Sequence, residues 1–339
     1  MRAKIDGVLV VDKPPGITSM EVVREIKRRF RLKKVGHLGT LDPFATGVLP
    51  IVINDGTKVV PFLEEEPKEY EAVLRLGEET RTDDPTGEVI SRTVLEGITP
   101  EAIQSVFESF VGRIEQRPPM FSAVKVQGKP LYSLARMGIE IDRKVKKVNI
   151  FDLKIEKIAL PQVHFRVSCS KGTYVRTLAR DIGEKLGCGA HLLQLRRIRS
   201  GFFTLPQALS LESLKSFSGL QDLRSRLLLF GDVLRHLPGI VSGEPLLEKV
   251  RFGREMVARD LRTQALPAFG KGQWIRILSP NHELVAILRS EVEGTDIHHL
   301  DPDRVALRPV RVFQAPRRPC SDPCATSDGG RDEVVEARQ

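Results

Sequence analysis

No stretch of this 339-residue chain approaches the roughly 20 consecutive apolar residues that a membrane-spanning helix requires. The opening residues, Met1 to Asp6, contain no apolar core of the kind a signal peptide needs, and a cytoplasmic protein is expected. Cysteine is scarce. Cys169, Cys188, Cys320 and Cys324 are too scattered for a disulfide framework or a zinc pattern, which fits a reducing compartment. Cys320 and Cys324, with His298 and His299 upstream, can be drawn as a metal site, but the cysteine pair lies in a tail with no core around it. There is no Walker phosphate loop, no Gly-x-Gly-x-x-Gly after a strand and no internal repeat. Neither a metal nor an organic cofactor is expected.

What the chain has is length, positive charge and one unusual loop. It is long enough for two domains and a sizeable core. Formal net charge is +9, and residues 316–339 hold four arginines against five acids, so about +10 falls on the rest. That excess favours a polyanionic partner such as RNA or DNA. The loop is Gly36-His37-Leu38-Gly39-Thr40-Leu41-Asp42-Pro43-Phe44-Ala45-Thr46-Gly47-Val48-Leu49-Pro50, with three glycines and two prolines in fifteen residues. Glycine permits positive φ and proline fixes φ, so the stretch is read as a rigid irregular loop rather than a helix or an ordinary strand. Asp42 sits in its middle. A carboxylate held there can act as nucleophile, as general base or as a structural cap.

The pattern G-H-x-G-x-L-D-P-x-A-T-G-x-L-P resembles the catalytic motif of the TruB family, the bacterial synthases that make pseudouridine 55 in tRNA. The resemblance implies that Asp42 is the nucleophile. His37 would fill the gap in the tRNA loop when the target base flips out, ahead of a general-base role and of a merely hydrogen-bonded loop histidine. The upstream run Asp12-Lys13-Pro14-Pro15-Gly16-Ile17-Thr18-Ser19 resembles the family's opening motif, with Lys13 as a buttress of the catalytic loop. Downstream, Lys68-Glu69-Tyr70 matches the start of the strand whose tyrosine stacks on the substrate. A tyrosine there is by default a satisfied core residue, whereas an extruded base needs an aromatic face. Cys169-Ser170-Lys171-Gly172-Thr173-Tyr174-Val175-Arg176 resembles the second active-site motif. Arg176 would pair with Asp42 and keep it ionised, while Tyr174 would line the pocket, in proton handling or in packing. Leu195 would pack on the uracil, and Arg197 would support the loop. In Glu79-Thr80-Arg81-Thr82-Asp83-Asp84-Pro85-Thr86-Gly87, Arg81 stands where the family has an acid, while Asp84 matches a later acid that holds an arginine or orders the loop.

Patterning places these motifs on elements. Gly7 to Asp12 reads as a buried strand. Thr18 and Glu21 form a capping box, and Val22, Val23, Ile26 and Phe30 give the helix after it an apolar face. Arg24, Lys27, Arg28 and Arg29 lie opposite, either a solvated face or a phosphate contact. Tyr70, Ala72, Leu74 and Leu76 alternate as a half-buried strand, as do Val163, Phe165, Val167 and Cys169. Thr99-Pro100 starts a helix with a stripe of Ile103, Val106, Phe107, Phe110 and Val111, ended by Gly112. Val175, Leu178, Ile182 and Leu186 mark another helix, stopped by Gly187. Residues 116–136 read as extended and loop-like. The basic stretch about 124–150 resembles the family's RNA-binding insertion.

From about residue 236 short strands and glycine turns suggest a small β-barrel, with strands over Val250 to Val257, Trp274 to Leu278, Leu284 to Leu288 and Val305 to Phe313. Their arrangement resembles the PUA-type RNA-binding domain. The expected fold is therefore α+β: a pseudouridine synthase catalytic domain with a mainly antiparallel central sheet at 1–235, a PUA-like barrel at 236–314, and a disordered tail at 315–339. The expected activity is isomerisation of uridine 55, with the T arm of tRNA as partner, no membrane and no obligate protein partner. Three alternatives stand beside it. A non-catalytic tRNA-binding or folding module would not need Asp42, Tyr70, Tyr174 and Arg176 together. A uridine methyltransferase would want a cofactor loop and an activated cysteine. A guide-RNA-dependent relative would be inactive on bare tRNA.

Overall fold

The structure, a computed structural model, describes residues 5–63, 67–122, 125–126, 129–139 and 141–313. The elements run in the order β1 (Gly7–Lys13), α1 (Ser19–Arg29), β2 (Val35–His37), β3 (Thr46–Ile53), β4 (Lys68–Leu76), β5 (Glu78–Thr80) and β6 (Val89–Arg92). There follow α2 (Pro100–Glu108), β7 (Gly112–Gln116), β8 (Lys125–Val126), β9 (Lys129–Pro130), α3 (Leu131–Arg136), β10 (Lys146–Ala159), β11 (Gln162–Cys169), α4 (Val175–Lys185) and β12 (Ala190–Ser200). Next come β13 (Phe203–Thr204), β14 (Leu209–Ser210), α5 (Leu211–Lys215), α6 (Leu220–Ser225), α7 (Phe230–Val233) and β15 (Gly239–Val241). The last are α8 (Glu244–Arg251), β16 (Met256–Val257), α9 (Ala258–Leu261), β17 (Trp274–Leu278), β18 (Leu284–Ser290) and β19 (Val305–Val312).

Ten strands make one large sheet in the order β14-β1-β3-β12-β4-β11-β10-β7, with β2 added to β3 and β13 to β12. Its pairs are antiparallel except β1 with β14 and β3 with β12. The expected mainly antiparallel sheet in an α+β chain is what is found. The apolar run of β1 follows from burial on both sides. Leu9 and Val11 face the main core with α1, α2 and α4, while Val8 and Val10 face a second cluster. Helix α1 starts as its sequence dictates: Thr18 Oγ1 accepts the Glu21 N–H at 3.1 Å, and the Glu21 carboxylate accepts the Thr18 N–H at 2.7 Å.

A second sheet follows the order β15-β17-β18-β19-β16, with β15 and β17 parallel. Leu278, Leu284, Ile287 and Phe313 from this region share one apolar cluster with Val8, Val10, Val48 and Val52 of the large sheet. The two sheets are thus packed together.

Several sequence expectations change. Residues 250–257 are not one strand: they hold the end of α8, a turn and the two-residue β16. Leu247 and Val250 are buried at helical spacing, Glu244 and Pro245 open α8, and Lys249 and Arg251 close it. The small C-terminal unit is therefore not all-β, and its five-stranded path is open as paired. The stretch 116–136, expected as loop, includes α3. Val111 lies past α2 and is exposed, and Lys146 to Ile150 of the basic stretch pair with β7 inside the large sheet. The fifteen-residue motif is irregular only between β2 and β3, since Thr46 to Pro50 join the sheet. The expected tail at 315–339 lies outside the described residues.

Candidate active site

The irregular part of the motif is clasped from two sides. On one side, Ser19 at the start of α1 accepts the Leu41 N–H at 2.9 Å through Oγ and donates to the Leu41 carbonyl at 3.1 Å. Gly16 donates its N–H to the Pro43 carbonyl at 2.8 Å. Lys13 is fully buried, and its ammonium donates to the carbonyls of Pro14, Ile17 and Pro43 at 2.8, 2.7 and 3.1 Å. Burial pulls its pKa down to about 8, against the opposing pull of the Asp42 charge. On the other side, the buried guanidinium of Arg197 donates to the carbonyls of Val48 at 2.7 Å, Gly39 at 3.1 Å and Thr40 at 3.5 Å. Both cations donate to carbonyls of the loop and of its flanks.

Asp42 thereby faces the start of α4. Arg176 Nη2 donates to Asp42 Oδ1 at 3.0 Å, and Nε stands 2.9 Å from Oδ2 in a charge contact rather than an aligned hydrogen bond. Nη1 of the same arginine reaches Asp84 Oδ2 at 3.1 Å and the Thr82 carbonyl at 3.0 Å, and Nη2 also reaches the Phe121 carbonyl at 2.8 Å. One guanidinium, 3% exposed, thus bridges two carboxylates. The other oxygen of Asp84 is filled by the Thr82 hydroxyl at 2.7 Å and the Thr86 N–H at 2.9 Å. Asp84 therefore both holds the arginine and orders its own turn. Arg81, the departure from the family pattern, lies outside this set in an exposed pair with Glu88.

The electrostatics are those of a carboxylate under tension. Burial raises the Asp42 pKa, Arg176 lowers it, and the neighbouring Asp84 charge raises it. Burial likewise raises Tyr70 and Tyr174. His37 is pushed down, first by burial and then by the Arg197 cation, which favours a neutral ring.

The other expected site residues take separate positions. Tyr70 packs in the main core at 7% exposure, in register with Arg197 on β12. Leu195 lies opposite Ala72 and lines a groove of about 720 Å³ with Pro43, Phe44, Thr46 and Thr86. Tyr174 is the residue before α4, two positions ahead of Arg176. His37 stands apart: it ends β2 and lines a different cavity of about 220 Å³ with Leu38, Lys68, Lys171 and Phe202. Sequence reasoning assigned no work to Ser19, Thr82, Thr86 or Gln116. Ser19 had a signal, since it follows the capping Thr18 directly, and so had Thr82 and Thr86, each two residues from Asp84 in a polar turn; Gln116 depends on a contact 58 positions away that no local pattern reveals. Among the described residues, no three of His, Cys, Asp or Glu are grouped to hold a metal.

Residues 27–175 match the model of the TruB family pseudouridylate synthase N-terminal domain, and residues 176–229 match that of the tRNA pseudouridylate synthase B C-terminal domain. The chain belongs to the TruB family. Relatives named tRNA pseudouridine synthase B include one from Geobacter sulfurreducens, 46% identical over 91% of this chain and 100% of the relative. Another from Solibacter usitatus is 40% identical over 87% of this chain and 98% of the relative. The fold is also shared with chains of solved complexes. A Cbf5-Nop10-Gar1 complex matches with a TM-score of 0.67 and 29% identity, over 91% of this chain and 85% of that one. An H/ACA RNP bound to a substrate RNA containing 2'-deoxyuridine matches with a TM-score of 0.68 and 27% identity, over 91% and 84%. The family motifs recognised in the sequence thus sit in the fold shared with those complexes.

Proposed function

We propose that this chain isomerises uridine 55 in the TΨC loop of tRNA to pseudouridine, with Asp42 as nucleophile. The observation that carries the reading is the Asp42–Arg176–Asp84 bridge. It presents one carboxylate, aimed by a buried cation and partly exposed at 31% of its side chain, from a loop that cannot drift. Ionised Asp42 attacks either carbon 6 of the uracil or the anomeric carbon of the ribose. The bond between nitrogen 1 and the sugar breaks, the base turns, and carbon 5 bonds to the sugar. The proton lost from carbon 5 is matched by the one nitrogen 1 gains, so the reaction needs no oxidant or reductant.

The target base must first leave its stack, at a cost of a few kcal/mol that stacking and phosphate contacts repay. Tyr70 supplies the aromatic face, Leu195 packs on the uracil, Tyr174 lines the pocket and His37 occupies the vacated place in the RNA loop. The basic stretch 124–150 lies along the T arm. Residues 236–314, with Arg289, Arg308 and Arg311 exposed on their sheet, serve as a PUA-like RNA-binding unit beside a catalytic domain at 1–235. A tRNA substrate goes with a cytoplasmic location, and the reading requires no protein partner.

The test is pseudouridine formation on an unmodified tRNA transcript, wild type against Asp42→Asn, with the modified position mapped. Modification of position 55 by wild type alone, with tRNA binding kept in the variant, is expected. Turnover by the variant sinks the nucleophile assignment. The similarity to the H/ACA complexes favours one second reading, a guide-dependent enzyme; activity of the protein with bare transcript excludes it.

A further inference from the structure

We propose that Gln116 is a positioning residue that sets Tyr174 and Arg176 for catalysis. The inference rests on the reaction proposed above. Gln116 is the last residue of β7 and is 1% exposed. Its side-chain amide is spent on the backbone of one residue of the catalytic region. Oε1 accepts the Tyr174 N–H at 3.0 Å, and Nε2 donates to the Tyr174 carbonyl at 3.2 Å. Tyr174 is the N-cap of α4, and its own side chain caps nothing. The Tyr174 N–H would lose this partner if Gln116 were absent. A two-point clasp on one residue fixes both the place and the rotation of its backbone, and with it the first turn of the helix that carries Arg176.

The same strand end leads into the segment that holds Arg176 directly. Five residues on, the Phe121 carbonyl accepts from the Arg176 nitrogen that also serves Asp42. This segment is anchored from its far side, where Arg143 Nη1 donates to the Pro118 carbonyl at 3.0 Å and Lys146 pairs with Gln116 across the sheet. The segment 116–121, held by Arg143 and Lys146 of the basic stretch, is therefore bonded to both Tyr174 and Arg176. Gln116 touches neither the reacting carboxylate nor the substrate site. It acts through the two residues that do.

The experiment compares wild type, Gln116→Met and Gln116→Glu. Methionine keeps the length of the side chain and removes both hydrogen bonds; glutamate keeps the acceptor and removes the donor. Single-turnover rate at saturating tRNA transcript, tRNA affinity and thermal midpoint are read on each. The expected result is a rate lower by about tenfold or more in Gln116→Met and by less in Gln116→Glu. Affinity is expected to stay within about twofold in both. Wild-type rate in both variants overturns the proposal. So does a parallel fall of rate, affinity and thermal midpoint, which marks a purely structural amide. If Gln116→Met does not fold, Gln116→Glu decides by the same split. Wild type without pseudouridine formation would instead overturn the reaction itself, and this inference with it.

Discussion

A Cβ on Gly47 would stand 2.2 Å from the carbonyl oxygen of Arg197. The two residues are paired where β3 and β12 run parallel, and Gly47 has a φ of +103°. Space and backbone conformation both exclude a side chain, so the glycine is what lets the strand carrying Arg197 lie against the Asp42 motif.

Gly47→Ala is therefore expected to destabilise the protein by at least about 1–3 kcal/mol, the range for overpacking, before the strain of positive φ is added. Chemical denaturation measures it. Because Arg197 also holds the carbonyls of Gly39 and Thr40, the folded fraction of the variant should turn over more slowly than wild type. An unchanged midpoint would show that the strands separate without cost.

Arg176→Lys should cost about a hundredfold or more in turnover, since an ammonium cannot span Asp42 and Asp84 while also donating to two carbonyls. Retained turnover would mean that charge alone, not the fork of donors, orients Asp42. Rapid-quench assay on a tRNA transcript is the measurement.

The pH profile carries a sign that can be checked. Asp42 must be ionised to attack, and its pKa is raised by burial and by Asp84. The acid-side loss of rate should therefore have its midpoint above the roughly 3.9 of a free aspartate. Asp84→Asn removes the like charge and leaves Arg176 to Asp42, so the midpoint should move to lower pH. A shift to higher pH would contradict the assigned coupling.

Lys13→Met takes a donor from the carbonyls of Pro14 and Ile17, while Pro43 keeps the Gly16 N–H, and should cost about 1–3 kcal/mol for each carbonyl that stays buried and unpaired. Its pH dependence is distinct. Lys13 has a folded pKa of about 8, while the unfolded chain keeps the proton up to roughly 10.4. Between these values the unfolded state binds more protons, so wild-type stability from this group rises with pH. The stability gap between wild type and Lys13→Met should widen from pH 8 towards 10, as urea titrations would record. A constant gap would place the Lys13 pKa at its ordinary value.

Much of this was legible before the fold. The capping box of α1 lies within four residues, the alternation of Val163, Phe165, Val167 and Cys169 reports one buried face, and the Asp42 motif is one short run. Local chemistry decides such features. The failures also have physical causes. Val250 to Val257 has the composition of a strand, yet burial of Leu247 with Val250 on one face makes its first part helix. Gln116 is an ordinary polar residue before two prolines until β7 brings it against Tyr174, 58 positions away.

The sequence by itself determined the family, the unusual loop, the alternation of its strands and the acid that the loop presents. Tertiary structure alone decided what that acid meets. Arg176 lies 134 positions from Asp42 and 92 from Asp84, and Lys13 reaches Pro43 across 30. Such meetings are set by strand order and register, among them the pairing of β1 and of β12 with β3. Local periodicity gives each strand its buried face but not its neighbour. Only packing of the whole sheet brings two carboxylates onto one guanidinium.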